Sequence, residues 1–365
     1  MCKKTSFFLL SVVFVCFSII AGNPPSATFK VTKGTNIAHW LSQSQNRGNL
    51  RAAFFTEEDV KQIKAMGFDH IRLPIDEEQM WDEDGIRELE AFDLLENAVN
   101  WCKKHDLKII VDLHILRSHH FNAKEKPLWT DPKEQAKFFD LWYQLSLILK
   151  KFPNELLAYE LMNEAVADDS ELWNNLLNKA LAEIRKLEPN RTIIVGSNRW
   201  QSVDTFKDLK IPENDPNIIL SFHYYDPFLF THYKTSWTDL KTYDGPVNYP
   251  GVILKKGKVR KFEGQAKRVA EKWAGKSFDV NHFQNHIQQA IDKAEKLNLS
   301  LYCGEFGAYH TTPEKDKLKW YEDLISVFKN NGIGYANWNY KSTEFGLINN
   351  DGTKNEKMIE IVTQK

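Results

Sequence analysis

Leu156–Glu164 reads LLAYELMNE and Leu299–Gly307 reads LSLYCGEFG, and each is an apolar run of strand length that reaches a glutamate near its end. Similar runs alternate along the chain with longer amphipathic segments, a pattern typical of parallel strands joined by helices. The eight predicted strands are Thr35–His39, Phe68–Leu73, Leu107–His114, Leu156–Met162, Thr192–Val195, Ile218–His223, Leu299–Gly304 and Ile333–Trp338. Because eight such units close on themselves, we predict an α/β fold that is one (β/α)8 TIM barrel.

The segments between the strands have the helical period. Thr56 begins a helix that stops at Gly67, and the other predicted helices are Ala91–His105, Pro132–Lys150, Ser170–Leu187, Asp279–Leu297, Glu314–Asn331 and Glu356–Thr363. The fifth unit is the weakest, since residues 198–217 contain no convincing helix. The connection from Asp226 to Ser277 is unusually long, and Val252–Phe262 within it reads as a hairpin turning at Lys256–Lys258.

The ends of the strands carry polar side chains where core strands would be apolar. Each such residue alone has an ordinary explanation, such as a helix cap, a structural ion pair or a satisfied core histidine. Taken jointly they predict a site at the carboxyl ends of the strands, where barrels do their chemistry. The period of two places Asp112 on the face of His114, Ser221 on the face of His223 and Tyr225, Glu305 on the face of Cys303, and Trp338 on the face of Ala336.

Two carboxyl groups at separate strand ends are sufficient for cleaving a glycosidic bond, because one donates a proton while the other attacks or stabilises the sugar carbon. Glu164 and Glu305 are the predicted pair. Glu160 lies deeper on the face of Glu164, and we expect it to need a cationic or hydrogen-bonding partner such as Arg72 or His114.

These motifs together resemble glycoside hydrolase family five, a cellulase-like family of retaining β-glycosidases, from about Thr35 to the C-terminus. Asn163-Glu164 resembles the strand-four motif and implies Glu164 as acid/base. Gly304-Glu305-Phe306-Gly307 resembles the strand-seven motif and implies Glu305 as nucleophile. The strand-two motif rests on Arg72. The remaining positions at which the family keeps a substrate-binding residue are His114, Asn163, His223, Tyr225 and Trp338.

Two departures from the family pattern leave the choice of sugar open. The family often has proline after the acid/base, where this chain has Ala165. Many members follow the histidine of strand three with a second histidine or a small residue, where this chain has Ile115.

The resemblance implies endo-β-1,4-glucanase activity on a β-glucan or a related polysaccharide, without a metal or other cofactor. Mannan, xyloglucan or mixed-linkage glucan as substrate, and exo-acting β-glucosidase activity, are alternatives within the same fold. A non-catalytic glycan-binding barrel would not need both glutamates. A metal-dependent hydrolase using His114 and His223 would be expected to carry a His-x-His pair at a strand end. His282 and His286 are one helical turn apart, but Phe283 stands where a zinc protease has its glutamate, so they predict a solvated helix face.

The aromatic content of the chain suggests surfaces for stacking sugars. Of its eleven tryptophans, Trp40, Trp129, Trp200 and Trp237 follow strands or lie in loops, and these are the predicted sugar-stacking residues.

The first residues predict export. Lys3 and Lys4 precede an apolar stretch from Phe7 to Ile20 that is short for a membrane span, and Ala21 follows. We therefore predict a signal peptide over residues 1–21, a catalytic domain over 22–365 without a membrane span, and a secreted or periplasmic protein. The formal net charge of −1 argues against nucleic acid as a partner.

Overall fold

The computed structural model describes residues 28–364, which form a closed barrel of eight parallel strands. We number the barrel strands in chain order as β1 Lys33–Asn36, β2 His70–Asp76, β3 Lys108–Ile115, β4 Leu157–Glu160, β5 Ile193–Gly196, β6 Ile218–Tyr224, β7 Ser300–Phe306 and β8 Gly334–Asn337. Each strand pairs with its neighbours in sequence, and β1 closes the barrel against β8. The predicted fold is confirmed. The proposed signal segment, residues 1–21, lies outside the described residues.

Helices cover the outside of the barrel. The α-helices are Gly48–Phe54, Glu57–Met66, Glu77–Met80, Leu89–Lys104, Pro132–Leu149, Ser170–Leu187, Asn198–Gln201, Phe228–Thr231, Gly264–Trp273, Val280–Leu297, Glu314–Asn330 and Glu356–Thr363. The 3₁₀ helices are Pro127–Trp129, Val203–Asp208, Asp239–Thr242 and Lys256–Lys261. Within residues 28–364, no helix is both long enough and apolar enough to cross a membrane.

Local sequence explains where the helices begin and end. The Glu57–Met66 helix begins with a capping box, in which the Asp59 carboxylate accepts from the Thr56 backbone N–H at 2.9 Å. It ends at Gly67, whose φ of +102° is readily adopted only by glycine. The fifth unit has no regular α-helix: Asn198–Gln201 is a single turn with non-helical backbone angles, and Val203–Asp208 is a 3₁₀ helix, as its sequence indicated.

The long connection differs from its prediction. The expected hairpin over Val252–Phe262 is wrong, because Lys256–Lys261 forms a 3₁₀ helix. Gly251–Val252 pairs instead with Ser277–Phe278 as a short antiparallel ladder, which joins the middle of the long connection to its end. The lysine-rich stretch has too few apolar residues at period two to form a strand with a buried face.

The barrel interior changes from apolar to charged along the strands. Its first layer is a buried apolar cluster of Phe29, Ile110, Ala158, Ile194, Ile219, Tyr302 and Ala336. Two residues further along the same strands come Asp112, Glu160 and Ser221, all fully buried. Because successive inward positions are two residues apart, the apolar layer supports a polar layer directly beneath the carboxyl ends of the strands.

Candidate active site

A cavity of about 1330 Å³ opens at the carboxyl ends of the barrel strands. Seven of the eight predicted site residues line it: His114, Asn163, Glu164, His223, Tyr225, Glu305 and Trp338. The eighth, Arg72, is fully buried directly below them. The structure therefore brings together residues that lie up to 266 positions apart in the sequence, from Arg72 to Trp338.

Arg72 organises the floor of this cavity. Its guanidinium donates to both oxygens of Glu160, at 2.6 and 3.1 Å, and to Glu305 at 2.8 Å, and it lies 3.0 Å from Asp112. Burial alone would lower the pKa of Arg72, but the three carboxyl groups raise it. Arg72 therefore stays charged, and the prediction that Glu160 has a cationic partner is confirmed.

Glu305 is held by two donors. Arg72 donates to Oε1 at 2.8 Å, and the Tyr225 hydroxyl donates to Oε2 at 3.0 Å. Burial raises the pKa of the Glu305 carboxyl above its usual value, and the charge of Arg72 opposes this rise by favouring the ionised form. A carboxylate with both oxygens fixed in this way is oriented, and it presents its remaining lone pairs to the cavity.

A register shift between β6 and β7 aims Glu305 at the cavity. Phe222 pairs with Cys303, but His223 pairs with Glu305, so Gly304 is an extra residue on β7. Cys303 packs in the outer layer between strands and helices, and the extra residue turns Glu305 to the opposite face. The prediction that Glu305 shares a face with Cys303 is wrong, because strict alternation holds only where the ladder is regular.

Glu164 lies four residues beyond the end of β4, in a left-handed backbone conformation with φ of +44°. Its backbone N–H donates to Gln201 Oε1 at 2.9 Å, and its side-chain Oε1 lies 2.9 Å from His223 Nδ1. Burial raises the pKa of Glu164 well above its usual range, and the negative charge of Glu305 raises it further. This carboxyl group is therefore set to hold a proton beside an ionised partner.

His223 links the two carboxyl groups. Its Nδ1 lies 2.9 Å from Glu164 and 3.7 Å from Glu305 Oε2, and a carboxylate oxygen of each glutamate lies within 4.8 Å of the other. Retaining glycosidases place their carboxyl groups about 5–5.5 Å apart, whereas inverting enzymes need about 6.5–9.5 Å. An approach of one oxygen from each group to within 4.8 Å is compatible with the shorter spacing. Burial lowers the pKa of His223, so the ring is neutral.

Asn163, His114 and Trp338 form a wall beside the carboxyl groups. Asn163 Oδ1 accepts from Arg72 at 2.8 Å, which fixes the amide so that its NH₂ points away from the arginine. The His114 ring stacks on Trp338, with centroids 5.7 Å apart and planes 9° from parallel. His114 Nδ1 is 2.7 Å from Asp112, and burial lowers the pKa of His114 to about 4.

Gln201 is the most consequential residue that the sequence did not reveal. It accepts from the Glu164 backbone and donates to Ser221 at 3.1 Å and to Glu160 at 3.3 Å. It reaches into the barrel because Gly196 has no side chain: a Cβ there would lie 2.2 Å from Gln201 Cγ. The turn that delivers it has three successive left-handed residues, with φ of +58°, +61° and +51° at 199–201.

Asn36 and Asp112 were also missing from the predicted site. Asn36 accepts from Arg72 at 2.9 Å and donates to the Gly304 carbonyl at 2.9 Å, thereby joining β1 to β7. Asp112 could have been predicted as a site residue, because it lies two residues before His114 and shares the inward face of β3 with it. Asn36 could not, since a single asparagine at a strand end is common in turns as well.

The four predicted stacking tryptophans separate into two pairs. Trp200 and Trp237 are 43% and 49% exposed and line the cavity. Trp40 and Trp129 are buried, and their indole N–H groups donate to the backbone carbonyls of Arg51 and Val166. The prediction is therefore wrong for Trp40 and Trp129, which pack beneath loops.

Comparisons with known proteins agree with this geometry. The family model for cellulase (glycosyl hydrolase family 5) matches residues 31–344. Endoglucanase C of Acetivibrio thermocellus is 33% identical over 87% of this chain and 93% of its own length. Cellodextrinase A of Ruminococcus flavefaciens is 30% identical over 83% of each chain. Thermotoga maritima Cel5A, solved in complex with cellobiose, superposes with a TM-score of 0.72 at 25% identity, covering 91% of this chain and 97% of that one. The chain is a glycoside hydrolase that belongs to the cellulase family, glycosyl hydrolase family 5.

Proposed function

We propose that this protein is an endo-β-1,4-glucanase that hydrolyses its substrate with retention of anomeric configuration. The observation that carries the proposal is the pair of buried carboxyl groups, Glu164 and Glu305, within 4.8 Å of each other on the floor of an open cavity. Relatives named endoglucanase and cellodextrinase support a β-1,4-glucan as the substrate.

In the first step, Glu305 attacks the anomeric carbon while Glu164 protonates the departing glycosidic oxygen. The oxygen leaves with its electron pair as a sugar hydroxyl, and a glycosyl ester forms at Glu305. Arg72 and the Tyr225 hydroxyl keep the attacking carboxylate ionised and aimed. The proton stays on Glu164 because burial and the charge of Glu305 both oppose its loss.

In the second step, the ester has removed the negative charge from Glu305. The pKa of Glu164 consequently falls, and this group takes a proton from an incoming water as that water attacks the sugar carbon. The glycosyl ester breaks, Glu305 recovers its charge, and Glu164 regains the proton that it needs for the next cycle.

The walls of the cavity suit a glucan chain. The Asn163 NH₂ group is directed away from Arg72 and is the proposed donor to the sugar 2-hydroxyl, a contact that strengthens as positive charge develops. Trp338 offers an aromatic face stacked from behind by His114. Trp200 and Trp237 come from two different connections, and they provide further surfaces along the cavity for a chain that continues past the cleavage point.

The stereochemistry of azide products tests the two roles separately. In Glu164→Ala, Glu305 still inverts the sugar carbon once and azide inverts it again, so we expect a β-glycosyl azide from an aryl β-cellobioside. In Glu305→Ala, azide occupies the missing carboxylate's position and inverts once, so we expect an α-glycosyl azide. Glu96→Ala, at an exposed surface pair, is the matched control. Exchanged products would reverse the assignment, and near-wild-type hydrolysis by both variants would refute it.

Product sizes test the choice of substrate. An endo-acting glucanase lowers the viscosity of carboxymethylcellulose early and releases mixed oligosaccharides, whereas a chain-end enzyme releases short sugars at constant viscosity. Faster cleavage of mannan or xyloglucan than of β-1,4-glucan would assign another substrate. Saturable binding of these glycans without turnover would favour the non-catalytic barrel.

We also propose that residues 1–21 are removed during export. This rests on Lys3, Lys4 and the apolar stretch Phe7–Ile20, followed by Ala21. N-terminal sequencing of protein recovered outside the cytoplasm should begin at residue 22, and intact residue 1 on that protein would contradict the proposal.

A further inference from the structure

A second group of side chains that could bind a ligand lies at the edge of the cavity, which Asp226 and His286 help to line. His282 and His286 are one turn apart on the Val280–Leu297 helix, and Asp226 follows Tyr225 just beyond β6. One ring nitrogen from each histidine and one oxygen of Asp226 all lie within 4.8 Å of one another. The predicted solvated helix face is therefore only part of the description, because His286 is 20% exposed and contacts two carboxylates.

We propose that His282, His286 and Asp226 bind a divalent transition metal ion of the zinc class. Two histidines and one carboxylate, with a water in the fourth position, are an ordinary ligand set for such an ion. Metal–ligand bonds of about 2.0–2.1 Å in a tetrahedron place ligand atoms about 3.3–3.4 Å apart. His286 Nδ1 and Asp226 Oδ2 are 3.2 Å apart, so this edge of the site already has the required length.

His286 is oriented for ligation through Nδ1 by the partner of its second ring nitrogen. Its Nε2 lies 3.0 Å from Asp204 Oδ1. A metal-binding histidine generally donates its second N–H to a carboxylate or carbonyl, which fixes the tautomer and the ring direction. Asp204 supplies this acceptor and leaves Nδ1 as the ligand atom. The Tyr224 hydroxyl also lies 3.3 Å from Nδ1, and metal binding exchanges that contact for the metal–nitrogen bond.

The ring of His282 is positioned to bind a metal ion. Among residues 28–364, neither of its ring nitrogens makes a hydrogen bond, and the ring forms T-shaped pairs with Phe278 and Phe283 and a tilted pair with His286. These aromatic contacts hold the imidazole beside His286 without occupying its nitrogens. A ligand that is already positioned loses little conformational freedom when the metal binds.

Charge around the group also suits a dication. Asp204 and Asp226 contribute two negative charges, which balance one divalent ion bound to neutral imidazoles. Lys276 is the nearby cation lining the same hollow, and its ammonium lies over the Trp273 ring at 5.0 Å. Lys276 is thereby held against an aromatic face instead of pairing with Asp226.

Such an ion would join parts of the chain that are far apart in sequence. Asp226 is the first residue of the long connection that ends at Ser277, and the two histidines lie beyond that end. Because the three ligands come together only in the folded arrangement, an ion bound to them stabilises this arrangement by mass action.

The experiment titrates Zn²⁺ into tag-free Glu305→Gln protein by calorimetry. This background is chosen because Glu164, His223 and Glu305 form a second group with ligand atoms within 4.8 Å, which could also bind the ion. We expect one bound ion, lost in His282→Ala and bound about 10–100-fold more weakly in Asp204→Asn, which removes the charged acceptor of His286. Co²⁺ should give the intense visible absorption of a tetrahedral site. His310→Ala, at an exposed histidine elsewhere, is the control.

Within the part of the chain that the structure describes, His282 makes no side-chain hydrogen bond, so its replacement should leave the fold intact, and thermal unfolding without metal checks this. Undiminished Zn²⁺ binding in His282→Ala, the absence of saturable binding in the Glu305→Gln parent, or an octahedral Co²⁺ spectrum would each overturn the proposal.

Discussion

Replacing Gly196 by alanine should damage the active site from within the barrel. The added Cβ would lie 2.2 Å from Gln201 Cγ and 2.6 Å from Gln201 Nε2, so the glutamine side chain has to move. Gln201 accepts the Glu164 backbone N–H and donates to Glu160 and Ser221. The substitution therefore reaches the proposed acid/base through one intermediate side chain.

The expected cost follows from these contacts. Overpacking a buried site costs about 1–3 kcal/mol. Leaving the buried Glu164 N–H without its acceptor costs about another 1–3 kcal/mol. The free energy of unfolding should thus fall by about 2–6 kcal/mol. A displacement of Glu164 of about 1 Å should lower kcat roughly 100-fold, because proton transfer needs a closely fixed geometry.

Aryl β-cellobiosides separate a positioning effect on Glu164 from general damage. Substrates with poor leaving groups need the proton from Glu164, whereas those with very good leaving groups do not. The variant should therefore lose most activity on the poor leaving groups. Gly257→Ala is the matched control, since a Cβ there meets no atom of residues 28–364 within 4 Å, and urea unfolding measures the stability of each variant.

Adding Gln201→Gly removes the side chain that the new Cβ strikes. The double variant should be no less stable and no less active than Gln201→Gly alone, which is a strong departure from additivity. Equal losses on all leaving groups, or additive losses in the double variant, would refute the idea that Gly196 acts through Gln201.

Three further outcomes follow from the site. Tyr225→Phe removes a hydrogen bond to ionised Glu305, so the pKa of Glu305 rises and the acidic limb of the kcat/KM pH profile should move to higher pH; an unmoved limb would contradict the contact. Glu160→Gln leaves Arg72 with one partner charge fewer and should lower the free energy of unfolding by about 3 kcal/mol in urea, whereas the surface control Glu96→Gln should change it by less than about 0.5 kcal/mol. Trp200→Ala should raise KM for long cello-oligosaccharides roughly fivefold, about 1 kcal/mol, and leave KM for a short aryl cellobioside unchanged; equal changes for both would exclude a stacking role at a distant subsite.

Hydrophobic periodicity was sufficient to predict the barrel. The runs around Leu107–His114 and Ile218–His223 are too apolar for surface strands, and their separation by helical segments leaves few alternatives to a closed parallel sheet. Boundaries were less accurate: β1 is Lys33–Asn36 where Thr35–His39 was expected, because its edges are set by pairing with β2 and β8. The Val252–Phe262 hairpin failed for lack of any buried face.

The predicted site residues were found because their side chains are unusual for strand ends. Arg72, Glu164 and Glu305 are costly to bury, so their positions on inward faces signal function. Gln201 was beyond the reach of sequence, because it enters the barrel only through a left-handed turn and the space left by Gly196. The direction of Glu305 depends on the register shift at Gly304, which strict alternation cannot predict.

Trapping the sugar on its nucleophile tests the role of Glu305 directly. A 2-fluoro-cellobioside with a very good leaving group forms the glycosyl ester but hydrolyses it slowly, because fluorine destabilises both transition states. Mass spectrometry of peptides should then find one fluorosugar on the peptide that contains Glu305, and none in the Glu305→Gln variant. A fluorosugar on any other peptide, or an initially α-configured product from a β-linked glucan, would contradict the central claim that Glu305 attacks while Glu164 protonates.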